Sequence, residues 1–265
     1  MKFQTSQVIL VAIQAALQAG EILRRGYGTS YQIESKPGRH NFVTEYDHAA
    51  EQAILKTIKQ HFPDHAILAE ESGSAKGASE NSVLWIIDPL DGTTNFTRHL
   101  PLFCVSIGVY HKGEVICGVI YQPITSELFV AEKGRGAYLN GTKLSVSTIA
   151  DIDKAIIGVG LPYQMDKRRS TLEHVAFFTE GGVPMRNLGS AALSLAYVAA
   201  GKIDGFWIDH LQPWDIAAGQ LLITEAGGFV TNYEGHIPDL TQPSSAIAGN
   251  PFIHGEILKL FVSNE

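Results

Sequence analysis

The stretch WIIDPLDGTTNF, Trp85 to Phe96, decides how this chain folds. Trp85, Ile86 and Ile87 make an apolar strand that Asp88 closes. Pro89 then keeps Asp88 extended and fixes its own φ. Asp91 follows three residues later, and Gly92 lets the chain turn sharply so that Thr93 and Thr94 open a short helix. Two carboxylates therefore stand at a strand end beside a helix N-terminus, whose N–H groups and partial positive charge suit a phosphate oxygen.

Working outward, the preceding apolar runs AILAEE (66–71) and VLWIID (83–88) both end in carboxylates. That is costly at a buried strand end unless the acids are paired or bind a cation. Carboxylates with a backbone carbonyl form an oxygen-only donor set, which suits Mg²⁺, with Mn²⁺ next. The absence of clustered His or Cys argues against zinc. Two such ions roughly 3.5–4 Å apart can activate a water and stabilise a leaving oxygen, and phosphoryl transfer to water is the reaction that most needs this. Each piece has a bland reading when taken alone: Asp-Pro-x-Asp-Gly is a turn, Glu70-Glu71 a solvated pair, and Trp214-Asp215 a helix cap. The combination carries the argument.

Further upstream, apolar residues at helical spacing predict an amphipathic helix from about Thr5 to Tyr27, and a second from Asp47 to His61. Downstream, FCVSIGVY, EVICGVIYQP, SELFVAEK and GAYLN, punctuated by Lys112-Gly113, Pro123 and Asn140-Gly141, predict an antiparallel meander. The remainder alternates: strands near 155–160, 205–209 and 245–249, and helices near 170–179, 190–200 and 214–226, giving mixed α/β layers. The style changes near Asp151 without a linker. Residues 1–265 are therefore expected to form one compact unit, with a subdomain boundary near 150 between a metal- and phosphate-binding half and a half that carries Asp215.

Lys and Arg number 20 against 27 Asp and Glu, a formal net charge of -7. This balance argues against nucleic-acid and anionic-membrane partners, which need a positive field. Charged residues are only 18% of the chain, so much of it should be interior. The two cysteines, Cys104 and Cys117, are too few for a disulfide framework and point to a reduced, cytoplasmic setting. No apolar run approaches the roughly 18 residues of a membrane span, and the N-terminal stretch lacks the basic start and cleavage site of a signal peptide. Neither GVGLPY nor GRGAYLNG completes a dinucleotide-binding fingerprint, and no P-loop, H-E-x-x-H, C-x-x-C or G-x-S-x-G occurs.

With these residues in hand, the chain resembles the inositol monophosphatase family, within the wider group of Mg²⁺-dependent, lithium-sensitive sugar phosphatases. The resemblance spans nearly the whole chain and rests on AEES (69–72), DPLDGTTNF (88–96), NLGSAALSLAYVAAGKIDGFW (187–207) and PWDIAAGQLLITEAGG (213–228). It implies a layered αβαβα sandwich, a homodimer, inhibition by Li⁺ and hydrolysis of inositol 1-phosphate or a related sugar phosphate. By the same resemblance, Glu70, Asp88 and the Leu90 carbonyl hold one Mg²⁺. Asp88, Asp91 and Asp215 hold a second, and Glu70 helps a weaker third. Thr93, hydrogen-bonded to Asp47, orients the attacking water. Gly92 and Thr93 N–H groups receive phosphate oxygens, and Asp91, Gly189, Ser190 and Ala191 meet the substrate's hydroxyls. Lys36 lies on a mobile loop near the metals. Three divalent ions would bring the formal charge to about -1, so a small phosphate ester is compatible with an acidic chain.

One position departs from the family pattern. Ile208 stands where inositol phosphatases place a glutamate that accepts hydrogen bonds from the polyol. Losing a charged acceptor there costs on the order of 1–3 kcal/mol of polyol affinity. Adjacent Asp209 faces the opposite side unless the register shifts. The same chemistry on fructose 1,6-bisphosphate, an adenosine bisphosphate or NADP is the alternative, and a non-catalytic regulatory member of the fold is a third reading.

Overall fold

The computed structural model describes residues 5–35, 42–73, 82–161 and 168–262. In chain order they form α1 (Thr5–Gly26), the short strands β1 (Ile33–Ser35) and β2 (Phe42–Thr44), α2 (Glu45–His61), β3 (Ala66–Ala69), β4 (Leu84–Asp91) and α3 (Thr93–Thr97). Strands β5 (Cys104–His111), β6 (Glu114–Gln122), β7 (Glu127–Glu132), β8 (Gly136–Leu139) and β9 (Thr142–Lys143) follow. The chain continues with β10 (Ile157–Val159), α4 (Arg168–Glu180), β11 (Met185–Arg186), α5 (Ala191–Ala199) and β12 (Gly205–Leu211). It ends with α6 (Pro213–Glu225), β13 (Phe229–Thr231), β14 (Ser244–Gly249) and α7 (Pro251–Val262).

Strands β3 to β9 form one sheet in sequence order. Its first pair is parallel and the rest is the expected antiparallel meander. The second sheet runs β11-β10-β12-β14-β13, with its first three strands parallel and the last two antiparallel to their neighbours.

Side-chain alternation assigns the layers. On β4, Trp85 and Ile87 enter a core shared with α1 and α2, whereas Ile86 enters one shared with α5 and α6. On β12, Phe206 and Ile208 enter that same α5/α6 core, and Trp207 faces outward to Phe178 of α4 and Ile253, Ile257 and Phe261 of α7. The stacking is α1 and α2, seven strands, α5 and α6, five strands, α4 and α7: an αβαβα sandwich. Each sheet is covered on both faces, which accounts for the low charged fraction. Cys104 and Cys117, both free, lie in cores on opposite faces of the first sheet.

Two glycines set how deeply α6 sits. Gly108 and Gly118 are paired across β5 and β6. A Cβ on Gly108 would lie 2.6 Å from that of Ala217, and one on Gly118 would lie 2.7 Å from the Ala218 carbonyl oxygen. The absence of side chains here lets the helix rest directly on the sheet, bringing its N-terminal turn to the end of β4.

The structure departs from the sequence reading in several places. Strand β4 continues past Asp88 to Asp91, and its register with β5 shifts between those residues. This irregularity accommodates Pro89, which has no N–H to give the ladder. Helix α2 begins at Glu45 rather than Asp47, because Thr44 caps it. Helix α7 and strand β13 were not anticipated; Asn250 Oδ1 accepts the N–H groups of Phe252 and Ile253, both at 2.9 Å, and starts α7. Helix α1 is long and apolar enough by composition to cross a membrane, but Val8, Val11, Ala12, Ala15, Ala16, Ala19 and Leu23 are buried against α2 and the first sheet.

Candidate active site

Backbone N–H groups hold one oxygen of each of four carboxylates. Asp47 is the third residue of α2; its Oδ2 accepts Thr44 N–H at 2.8 Å and the Thr44 hydroxyl at 2.6 Å. Asp215 occupies the same place in α6, and its Oδ2 accepts Gln212 N–H at 2.7 Å. The two helices thus use the same capping device, a third-position acid reaching back to its own N-cap. Asp88 Oδ1 accepts Leu90 N–H at 2.9 Å across the β4 irregularity. Asp91 Oδ2 meets the start of α5, taking Ala192 N–H at 2.7 Å together with the Ser190 hydroxyl. Each acid is oriented by the fold before any ligand arrives.

These four elements converge. Oxygens of Asp88, Asp91 and Asp215 lie within 4.8 Å of one another, the metal-capable group among the described residues. The Thr93 hydroxyl is 3.1 Å from Asp47 Oδ1 and 3.1 Å from the Leu90 carbonyl oxygen. Gly92, at φ 98°, makes the turn into α3; a Cβ there would also lie 2.9 Å from the Leu102 carbonyl oxygen.

Burial and like charge dominate the electrostatics. Asp88 is held well above the ordinary carboxylate range, first by burial and then by Glu70, Asp91 and Asp215. Burial likewise raises Asp91 to about 6, with Glu70 adding and the hydrogen bonds from Ser190, Ala192 and Ala191 opposing. Asp47 is raised to about 6, again chiefly by burial, with Thr44 and Thr93 opposing and Glu70 adding. Buried, mutually repelling carboxylates demand either protons or a cation. Because every donor is an oxygen, the residues fit a hard divalent ion such as Mg²⁺ or Mn²⁺.

Of the residues singled out in the sequence, Asp47, Asp88, Leu90, Asp91, Thr93, Ser190, Ala191 and Asp215 are tied together by these contacts and Gly92 turns between them. Glu70 acts on Asp47, Asp88 and Asp91 as a neighbouring charge and is outside the group of three acids that could hold one ion. The Ser190 hydroxyl and the Ala191 and Ala192 N–H groups are engaged by Asp91. Gly189, at φ 70°, packs against the amide of Asn95. Lys36 lies outside the described residues. Ile208 is 8% exposed, faces the α5/α6 core and abuts Gly160, where a Cβ would lie 2.2 Å from its Cδ1. The register of β12 against β14 does shift after Ile208, yet Asp209 lines a separate groove with His210, Tyr233 and Glu234.

Sequence reading missed two ties. Asn95 Nδ2 donates to the carbonyl oxygens of Leu102 at 2.6 Å and Leu188 at 2.7 Å, joining α3 to the loop before α5. Ser106 Oγ donates to Trp214 O at 3.1 Å and fixes β5 to the start of α6. The Asn inside the central motif was the available signal for the first.

Fold and site together define a class: five-layer αβαβα proteins with a carboxylate cluster at a strand end beside a short helix. The model of the inositol monophosphatase family matches residues 4–265, and the chain belongs to that family. It is 44% identical over 258 residues to the Nus factor SuhB of Escherichia coli (strain K12), covering 96% of this chain and 94% of that one. It is 40% identical over 259 residues to an inositol-1-monophosphatase of Mesorhizobium japonicum, covering 96% of each. The crystal structure of extragenic suppressor protein suhB from Bartonella henselae superposes with a TM-score of 0.91 at 39% identity, over 96% of this chain and 98% of that one. The Mesorhizobium japonicum relative is named for an enzyme and the Escherichia coli relative for a Nus factor. Those names lend no support to the expectation, drawn from net charge, that nucleic acid is not a partner.

Proposed function

We propose that the protein is a Mg²⁺-dependent phosphomonoesterase that hydrolyses inositol 1-phosphate or a related sugar or polyol phosphate. The observation that carries this reading is the Thr93 hydroxyl, poised 3.1 Å from both Asp47 and the Leu90 carbonyl beside the carboxylate cluster. Glu70, Asp88 and the Leu90 carbonyl would hold one ion, Asp88, Asp91 and Asp215 a second, and Glu70 would assist a third; Mn²⁺ is an admissible substitute. Bound Mg²⁺ supplies charge neutralisation for the phosphate and lowers the pKa of a water.

The chain's own residues do the rest. Thr93 donates its hydroxyl hydrogen bond to Asp47 Oδ1, which leaves its lone pairs free to accept a hydrogen bond from a water and aim that water at phosphorus. Asp47, fixed by the Thr44 N–H and hydroxyl, holds the Thr93 side chain in place. Gly92 and Thr93 N–H groups at the start of α3 receive phosphate oxygens. Gly189, Ser190 and Ala191 border the substrate's hydroxyls, with Asp91 held between them and the metals.

A second reading keeps this chemistry and changes the substrate to fructose 1,6-bisphosphate, an adenosine bisphosphate or NADP. Ile208 favours it, because an apolar side chain buried in the middle layer offers a polyol no acceptor. A third, regulatory role without turnover draws on the relatives named Nus factor SuhB. We read residues 1–265 as one unit acting as a homodimer on a small phosphorylated substrate, inhibited by Li⁺. Its two buried free thiols suit the cytoplasm. Release of inorganic phosphate from a panel of these esters at millimolar Mg²⁺, with and without Li⁺, tests the proposal. Turnover of inositol 1-phosphate above the others supports the first reading, preference for a bisphosphate supports the second, and Mg²⁺ binding without hydrolysis supports the third.

A further inference from the structure

The metal-site reading leaves the buried acid Glu51 without a task. Glu51 lies one helical turn after Asp47 on α2, and both are only 1% exposed. An i, i+4 spacing puts them on the same face. That face meets two different parts of the site: Asp47 reaches Thr93, and Glu51 Oε2 accepts the Glu71 N–H at 2.9 Å.

Glu71 follows Glu70 in the tight turn after β3. Ala69 and Gly73 close this turn by exchanging N–H···O bonds of 3.3 and 3.0 Å. Glu70 N–H itself donates to the Ile87 carbonyl at 3.1 Å, one residue before Asp88. The backbone is therefore pinned on both sides of Glu70, by β4 through Ile87 and by α2 through Glu51. Glu70 sits between these two attachments, so a small rotation of this turn changes where its side chain points. Burying a carboxylate to accept a backbone N–H is a costly way to hold a turn, and it makes sense where the orientation of the neighbouring Glu70 side chain matters.

We propose that Glu51 is a positioning residue for the metal site: by accepting the Glu71 N–H it holds the turn that aims Glu70 at the ion shared with Asp88. The proposal rests on the reading of Glu70 and Asp88 as ligands and is independent of whether the protein turns over a phosphate ester. Its mechanism requires an acceptor at Oε2 and not a charge, which makes it separable from electrostatic attraction of the cation.

The test is isothermal calorimetry of the full chain with MgCl₂ alone, repeated with Mn²⁺ by electron paramagnetic resonance. Glu51→Gln keeps an acceptor and should bind within about twofold of the wild type. Glu51→Met fills similar volume without an acceptor and should weaken the tighter site by about tenfold, as should Glu51→Ala where it folds. Thr57→Val provides the control, because it removes the bond from the same helix to Gln18, 2.6 Å long, far from the turn. It should lower the melting temperature and leave Mg²⁺ affinity unchanged. Wild-type affinity in Glu51→Met overturns the proposal. Equal loss in Glu51→Gln and Glu51→Met also overturns it, since charge would then be the operative property. A wild-type chain that binds Mg²⁺ yet releases no phosphate refutes the phosphatase reading while this proposal stands; a wild type that binds no Mg²⁺ overturns both.

Discussion

In the proposed reading the site has two walls, the end of β4 and the middle of β12, and they are built on opposite rules. At the end of β4 the acids are held: Asp47, Asp88, Asp91 and Asp215 each accept a backbone N–H on one carboxylate oxygen, and the Thr93 hydroxyl lies between Asp47 and the Leu90 carbonyl. On β12, in the second half, Ile208 is buried in the hydrocarbon of the middle layer, pressed against Gly160. The first wall gathers fixed carboxylate oxygens suited to a hard cation; the second offers an apolar side chain that, where the proposed reading places a polyol, supplies no acceptor. Chemistry and substrate choice are thus separable in this protein and can be broken independently.

The largest effect is expected at the first wall. Asp88→Asn should lower kcat/KM by at least about 10³-fold, roughly 4 kcal/mol of barrier, and a steady-state assay of phosphate release at saturating Mg²⁺ checks this. Thr93→Val should lower kcat by about 10²-fold or more with little change in KM, since it removes the water-orienting hydroxyl and leaves the metal carboxylates in place. An equal rise in KM would instead assign Thr93 to binding.

The same wall predicts an unusual pH dependence for the metal-free chain. Asp47 and Asp91 bind protons more tightly folded, at about 6, than unfolded, near 4. Between these values the folded state holds more protons, so stability is fully present below about pH 4 and is lost as pH rises through 6. The loss is on the order of a few kcal/mol. Thermal melts in EDTA should fall from pH 4.5 to 7, and added Mg²⁺ should restore the midpoint most strongly at pH 7. A midpoint that climbs with pH in EDTA would contradict the assignment.

Smaller effects probe how the walls are joined. Gly118→Ala places a methyl 2.7 Å from the Ala218 carbonyl oxygen and should cost about 1–3 kcal/mol of stability. By lifting the α6 N-terminus, it should also weaken Mg²⁺ binding through Asp215. Ile208→Glu should shift kcat/KM toward inositol 1-phosphate over fructose 1,6-bisphosphate by roughly two- to tenfold, at some cost in melting temperature for burying a carboxylate. Unchanged selectivity would show that the β12 wall is not a polyol wall.

What could be read from the sequence follows the same division. WIIDPLDGTTNF was legible because strand, proline, glycine and acids act within a few residues of one another, and the meander was legible because its turns are local. Asp47 was identified, but not the cap it forms with Thr44, which moves the start of α2 to Glu45. The tie from Asn95 to Leu188 spans 93 residues and ends on a carbonyl oxygen, which every residue type offers, so no side-chain pattern announces it. Helix α7 escaped because PFIHGEILKLFV is apolar on most sides and contains Gly255, while its start signal is the single Asn250 side chain. The five-layer order depends on which core each face of β4 and β12 enters, and periodicity alone does not name the partner.

The most direct test of the account is release of inorganic phosphate from inositol 1-phosphate by the wild-type chain across a Mg²⁺ titration, with an EDTA arm. The account predicts saturable turnover that rises with Mg²⁺ and vanishes in EDTA. No phosphate from this ester, or from any sugar or nucleotide phosphate on the panel, under conditions where calorimetry shows Mg²⁺ bound, would contradict it.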